Sequence, residues 1–123
     1  MMKSDAFRKA VEDLDLDAFL LTLAPSIVMH SPVRSEPLEG KEAIGALFAI
    51  LFRTFHDLHF VGEYTAADGS EGLHFRWRLG DHEVEGIDMM RFDAQGLIED
   101  YTVMVRPLSA VIALRDAVWS QVG

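Results

Sequence analysis

Near residue 56 the apolar period of this chain changes from that of a helix to that of a strand, and this switch limits the possible folds more than any other feature. Before it, Ile44, Leu47, Phe48, Leu51, Phe52 and Phe55 form one unbroken stripe down a long helix that Gly40 precedes. After it, apolar residues alternate with polar ones. Leu58, Phe60 and Tyr64 share one parity, and Leu73, Phe75, Trp77 and Leu79 the next. Val84, Gly86, Asp88, Met90 and Phe92 follow, and then Leu97, Tyr101, Val103 and Val105. Asp68-Gly69, Gly80-Asp81 and the Asp93 to Gly96 segment supply the turns between these strands.

The first forty residues add two short helices and a strand. Phe7, Ala10, Val11 and Leu14 fall on one helical face. Asp15 can cap a second helix carrying Leu16, Phe19, Leu20 and Leu23, with Pro25 as its stop. Ser26 to Ser31 reads as a strand, Pro32 and Pro37 bracket a loop, and Pro107 opens a last helix with Val111, Leu114 and Val118 inward. Helices first and a run of turn-linked strands afterwards predict one α+β domain over residues 1–123. A bent, cone-like antiparallel sheet would wrap the long helix and leave an apolar pocket at its open end. The outer sheet face, with Ile87, Met89 and Met104, suggests a homodimer.

Charge and cysteine content narrow the function classes. A net charge of −9 argues against nucleic acid, which is held by basic patches. The most apolar run, Ala43 to Phe52, is about half the ~20 residues of a membrane span, so no membrane partner is expected. Without cysteine there is no disulfide or thiolate metal site, and no apolar leader follows Met1. The expected home is a reducing cytoplasm.

Asp88 is the residue that most invites chemistry. Its parity sets a carboxyl on the face that should be buried, where desolvation keeps an acid protonated and able to donate a hydrogen bond. The alternative is a structural carboxylate bonded to backbone amides or paired with an Arg or His. His30 and Ser31 end the first strand beside the Pro-flanked loop, as general base and ligand-orienting hydroxyl or as plain surface residues. Trp77 and Tyr101 are core residues that can also wall a pocket, and Tyr64 resembles them. His56 and His59 straddle a helix end with no third ligand, so no metal is expected. Arg76 and Arg78 belong to a polar face that is either solvated or paired across strands, against Glu83 or Glu85.

These elements in this order resemble the nuclear transport factor 2-like (cystatin-like) superfamily and its SnoaL-like branch, over essentially the whole chain. Met29-His30-Ser31-Pro32-Val33-Arg34-Ser35-Glu36-Pro37, followed by Gly40, resembles the first strand and loop of ketosteroid isomerases. The segment Gly86 to Gly96 resembles the strand carrying their oxyanion-hole acid. The resemblance sets Asp88 at that acid, Ser31 at the proton-shuttling aspartate and Phe7 at the oxyanion-hole tyrosine. Gly86 stands where related epoxide hydrolases carry an arginine. The implied function is binding of a small apolar molecule without a cofactor. Asp88 and His30 are the catalytic candidates, and Ser31, Phe7, Phe48, Phe52, Trp77, Tyr101 and Val103 the substrate contacts. The implied chemistry is isomerase, cyclase or lyase proton transfer next to a carbonyl; the other implied class is a non-catalytic ligand-binding or dimeric accessory domain.

Overall fold

In the computed structural model, which describes residues 2–121, the chain begins with α1 (Asp5–Glu12). Phe7, Ala10 and Val11 are its buried face. Its start is held from a distant strand: the Glu71 carboxylate accepts from the backbone amides of Lys3 (3.0 Å) and Ser4 (2.8 Å). A negative charge there satisfies orphan N–H groups and suits the helix dipole. Leu14 does not extend the helical face as its spacing predicts. The helix ends at Glu12, Leu14 takes φ 53, and its side chain is 46% exposed. That turn frees Asp15 to cap α2 (Leu16–Leu21), accepting from the Ala18 amide at 3.0 Å.

Leu23 and Pro25 were expected to finish α2, but both belong to β1 (Leu23–His30). Pro25 is tolerated because the ladder is broken around it, between the Leu23 and Val28 pairings, so no strand donor is lost. The two-residue β2 (Leu38–Glu39) pairs with β1, and Gly40, at φ 91, then turns the chain into α3 (Lys41–Thr54). Ile44, Leu47, Phe48, Leu51 and Phe52 are buried along α3, as the stripe predicts. Phe55, already in extended backbone, ends it.

The strands β3 (His56–Thr65), β4 (Glu71–Leu79), β5 (His82–Phe92) and β6 (Ile98–Arg106) complete a curved six-stranded sheet ordered β2-β1-β6-β5-β4-β3. The expected antiparallel pairing holds except at β1, which lies parallel to β6. Leu73, Phe75 and Trp77 sit opposite Asp88, Gly86 and Val84, so the parity of β4 and β5 defines the concave face. Tyr64 departs from its predicted face. A register shift between Phe60 and Gly62 reverses the alternation, and Tyr64 is 56% exposed on the convex side. The helix α4 (Leu108–Ala117) packs on β4, β5 and β6, and a short 3-10 helix, Trp119–Gln121, follows.

Candidate functional site

The concave face and the helices over it enclose a cavity of about 50 Å³. Its wall is almost wholly apolar: Phe7 and Val11 of α1, Phe48 and Leu51 of α3, Met29, Leu58, Phe60, Phe75, Trp77, Val103 and Val105 of the sheet. Phe55, Pro32, Leu114 and Trp119 close it. Phe55 meets Trp77 edge-on, centroids 4.8 Å apart. A water needs roughly 10–15 Å³ of such space, whereas drug-sized ligands occupy pockets of roughly 300–1,000 Å³. Any ligand larger than a few waters therefore enters by displacing the partly exposed side chains Phe55, Leu58, Val105 and Trp119.

Asp88 is set into this wall with 5% of its surface exposed, between Leu73 of β4 and Val103 of β6. One oxygen, Oδ1, accepts a hydrogen bond of 2.7 Å from the hydroxyl of Tyr101. Tyr101 pairs with Met90, so it reaches Asp88 diagonally from β6. Its ring is held by Phe7, edge-on at 5.6 Å, and by Phe48 at 6.1 Å. The second carboxyl oxygen, Oδ2, has no partner among the described residues and is not sealed from solvent-sized space, so it opens onto the cavity. Burial pushes the Asp88 carboxyl up to about 7, with the Tyr101 bond pulling weakly the other way. The Tyr101 phenol is raised well above its usual range by burial and by the adjoining carboxyl. Near neutral pH, then, Tyr101 is a neutral donor, and both protonation states of Asp88 are within reach.

The structure brings together Asp88, Tyr101, Phe7, Phe48, Trp77 and Val103 of the residues singled out in the sequence. His30 is a correction. Met29 pairs with Tyr101 and lines the cavity, so its neighbour must face the convex side. There His30 Nε2 lies 3.5 Å from Asp100, with its side chain 43% exposed. Ser31 and Phe52 also lie off the cavity wall. Phe52 packs on Phe19, Phe48 and Phe55, whereas the Ser31 hydroxyl is buried without a partner among the described residues. Sequence spacing missed Phe75, Leu58 and Trp119 as wall residues, and missed Tyr101 as the partner of Asp88.

On the convex face Glu85 gathers His74 (2.7 Å), Arg76 (3.2 Å) and Arg106 (2.9 Å). These cations, Arg106 first, hold its carboxyl down at about 2. The predicted pairing of Arg76 with Glu85 is present. His59 Nδ1 lies 2.8 Å from the Asp57 carbonyl oxygen, and among the described residues no cluster of three metal-ligating side chains forms around it. No helix among them is long and apolar enough to cross a membrane.

A curved sheet closed by helices over an apolar cavity with one buried acid defines a small α+β domain of the cystatin-like kind. The chain belongs to the SnoaL-like family of the nuclear transport factor 2-like superfamily: the SnoaL-like domain model matches residues 5–101. It is similar to a steroid delta-isomerase from Pseudomonas aeruginosa, with 32% identity over 97% of this chain and 88% of that one, at TM-score 0.90. An uncharacterised protein with a cystatin-like fold from Silicibacter pomeroyi superposes at TM-score 0.89, with 22% identity over 97% of this chain and 84% of that one. RV0760c from Mycobacterium tuberculosis, in complex with estradiol-17beta-hemisuccinate, gives TM-score 0.70 at 18% identity, covering 87% and 92% of the two chains. Among curated proteins none matches this sequence.

Proposed function

We propose that this protein binds a small, mostly apolar carbonyl compound in its concave cavity, with protonated Asp88 donating a hydrogen bond to the carbonyl oxygen. The observation that carries this reading is the buried Asp88 carboxyl, tied by Oδ1 to Tyr101 and free at Oδ2. Kinship with a steroid delta-isomerase supports the same ligand class. Among the described residues that line the cavity only Asp88 and Tyr101 titrate, so this reading calls on no separate base. A carboxyl near pH 7 can itself take and return a proton, which favours a second reading: proton transfer next to the carbonyl, run by Asp88 alone.

One set of samples tests both readings. Binding of decalone, a bicyclic ketone, followed by tryptophan fluorescence, is expected to weaken about tenfold per pH unit above roughly 7, because only the protonated acid donates. Asp88→Asn keeps a donor and should abolish that dependence. Flat wild-type binding from about pH 6 to pH 8.5 would sink the proposal. In D2O, deuterium entering beside the carbonyl with wild type but not Asp88→Asn supports an enzyme. Binding without exchange supports a binding domain.

The convex face is proposed as a homodimer interface. Val61, Tyr64 and Met104 are 47%, 56% and 56% exposed there, beside the charged ladder of Glu85. Light scattering should give about twice the monomer mass, and Met104→Glu should halve it. A wild-type monomer at micromolar concentration would rule the interface out.

A further inference from the structure

Most of the cavity wall is built from residues that long elements hold in place. Phe7 and Val11 are buried on α1, and Phe48 and Leu51 on α3. Of the partly exposed residues, Val105 is fixed in β6 by its pairing with Gly86, and Phe55 is packed on Trp77 and Phe52. Trp119 is held differently. It opens the 3-10 turn Trp119–Gln121, whose hydrogen bonds run back along α4 and its end. The Gln121 amide donates to the Val118 carbonyl oxygen at 3.0 Å, Ser120 Oγ to that of Asp116 at 2.8 Å, and Gln121 Nε2 to that of Ala117 at 2.7 Å. Among the described residues no hydrogen bond ties this turn to the sheet or to α3. What seats Trp119 in the wall is the apolar packing of its own ring.

The seated position carries a penalty. The indole Nε1 is shut off from solvent-sized space and has no acceptor among the described residues. An indole N–H only donates, and a buried donor without an acceptor disfavours the arrangement that buries it. Swung outward, the same N–H bonds to water. A pivot lies next to it in Val118, which is fully buried and whose amide donates to the Leu114 carbonyl oxygen at 2.9 Å, so α4 stays in place while the turn moves. Trp119 is also the largest wall side chain outside the long helices and the sheet, and the space beside it, about 50 Å³, holds only a few waters.

Resting on the cavity as the binding site, as read above, we propose that the turn Trp119–Gln121 is a gate. The Trp119 ring plugs the empty cavity and swings out about Val118 when a bound molecule takes its place. The bound molecule then fills the volume of the ring as well as the existing space, and its apparent affinity falls with the fraction of molecules that are closed.

Decalone, far larger than the empty cavity, is the probe. The full chain has two tryptophans, so fluorotryptophan labelling gives two fluorine resonances, assigned through Trp119→Phe. With decalone bound at about pH 6, the Trp119 resonance is expected to take on the solvent isotope shift of an exposed indole, while that of Trp77 stays shielded. Trp119→Ala is expected to bind decalone about tenfold tighter than wild type, with faster association, because no plug has to leave. A fixed wall residue predicts the reverse, since its removal takes apolar contact from the ligand. Decalone bound with Trp119 still shielded, or bound more weakly by Trp119→Ala, sinks the gate and leaves the carbonyl pocket standing. Binding by Trp119→Ala where wild type binds nothing supports the gate, and binding by neither sinks both readings. Should Trp119→Ala not fold, the fluorine resonances of the wild-type chain decide alone.

Discussion

Asp88→Asn is expected to gain about 3 kcal/mol of stability relative to wild type as the pH is raised from about 5 to about 8. The folded carboxyl is raised to about 7 from an ordinary 3.8, so between those values the folded state holds a proton that the unfolded chain has released. Wherever the folded state binds more protons, stability falls with rising pH. The contribution of Asp88 is thus fully present at low pH and lost as pH rises through about 7. Asparagine carries no charge to bury, and its carbonyl oxygen still accepts from Tyr101. Urea midpoints of both proteins across this window are the measurement, and their difference cancels groups common to both. Glu85 runs the opposite way: its stabilisation is lost only as the pH falls toward about 2, outside the window. Parallel profiles would mean that Asp88 is ionised throughout, and the donor role would be lost with it. Tyr101→Phe supplies a second check. It removes the one interaction that favours the ionised acid, so the fall in stability should move to higher pH.

Much of this arrangement is legible in residue spacing, because the concave face is built from elements of strong period. The α3 stripe from Ile44 to Phe55 and the alternation of β4 and β5 are enough, as patterns, to put Asp88 inside. What spacing leaves out is register. Tyr101 is on the correct face by parity, but its reach to Asp88 depends on how β6 slides against β5. That is set by the Asp93–Leu97 turn, where the Asp93 carboxylate accepts from the Gln95 and Leu97 amides, and by the irregular step between Arg91 and Phe92. Register shifts also explain Tyr64, since one extra residue in β3 reverses every side chain beyond it. His30 and Met29 could not both face inward, and only the pairing of Met29 with Tyr101 decides between them. Trp119 belongs to no periodic segment, so no pattern could have brought it to the cavity.

Gly86→Ala is expected to cost about 3 kcal/mol, a large penalty for one methyl group. A Cβ at Gly86 would lie 2.3 Å from the Met104 carbonyl oxygen and 2.6 Å from Cζ of Phe75. The first is backbone of β6 and cannot yield without moving the strand. The second is a ring packed in the cavity wall. Gly72 is the control: a Cβ there comes closest to the flexible end of Ile87, at 3.2 Å, and meets the Asp88 carbonyl oxygen only at ordinary contact distance, 3.7 Å. Gly72→Ala should therefore cost less than about 1 kcal/mol. Urea midpoints for the two variants decide the matter, and equal losses would show that Gly86 is not needed for close approach. The steric demand also bears on chemistry. Met104 lies three residues from Tyr101 on β6, so a shift there loosens the bond that holds Asp88. An arginine at this position, two residues before the acid, would need the space that the Phe75 ring already fills. The apolar wall beside Asp88 and the absence of a second charge next to it thus have one cause. Phe75 closes over a glycine, and burial so arranged raises the carboxyl beside it to about 7.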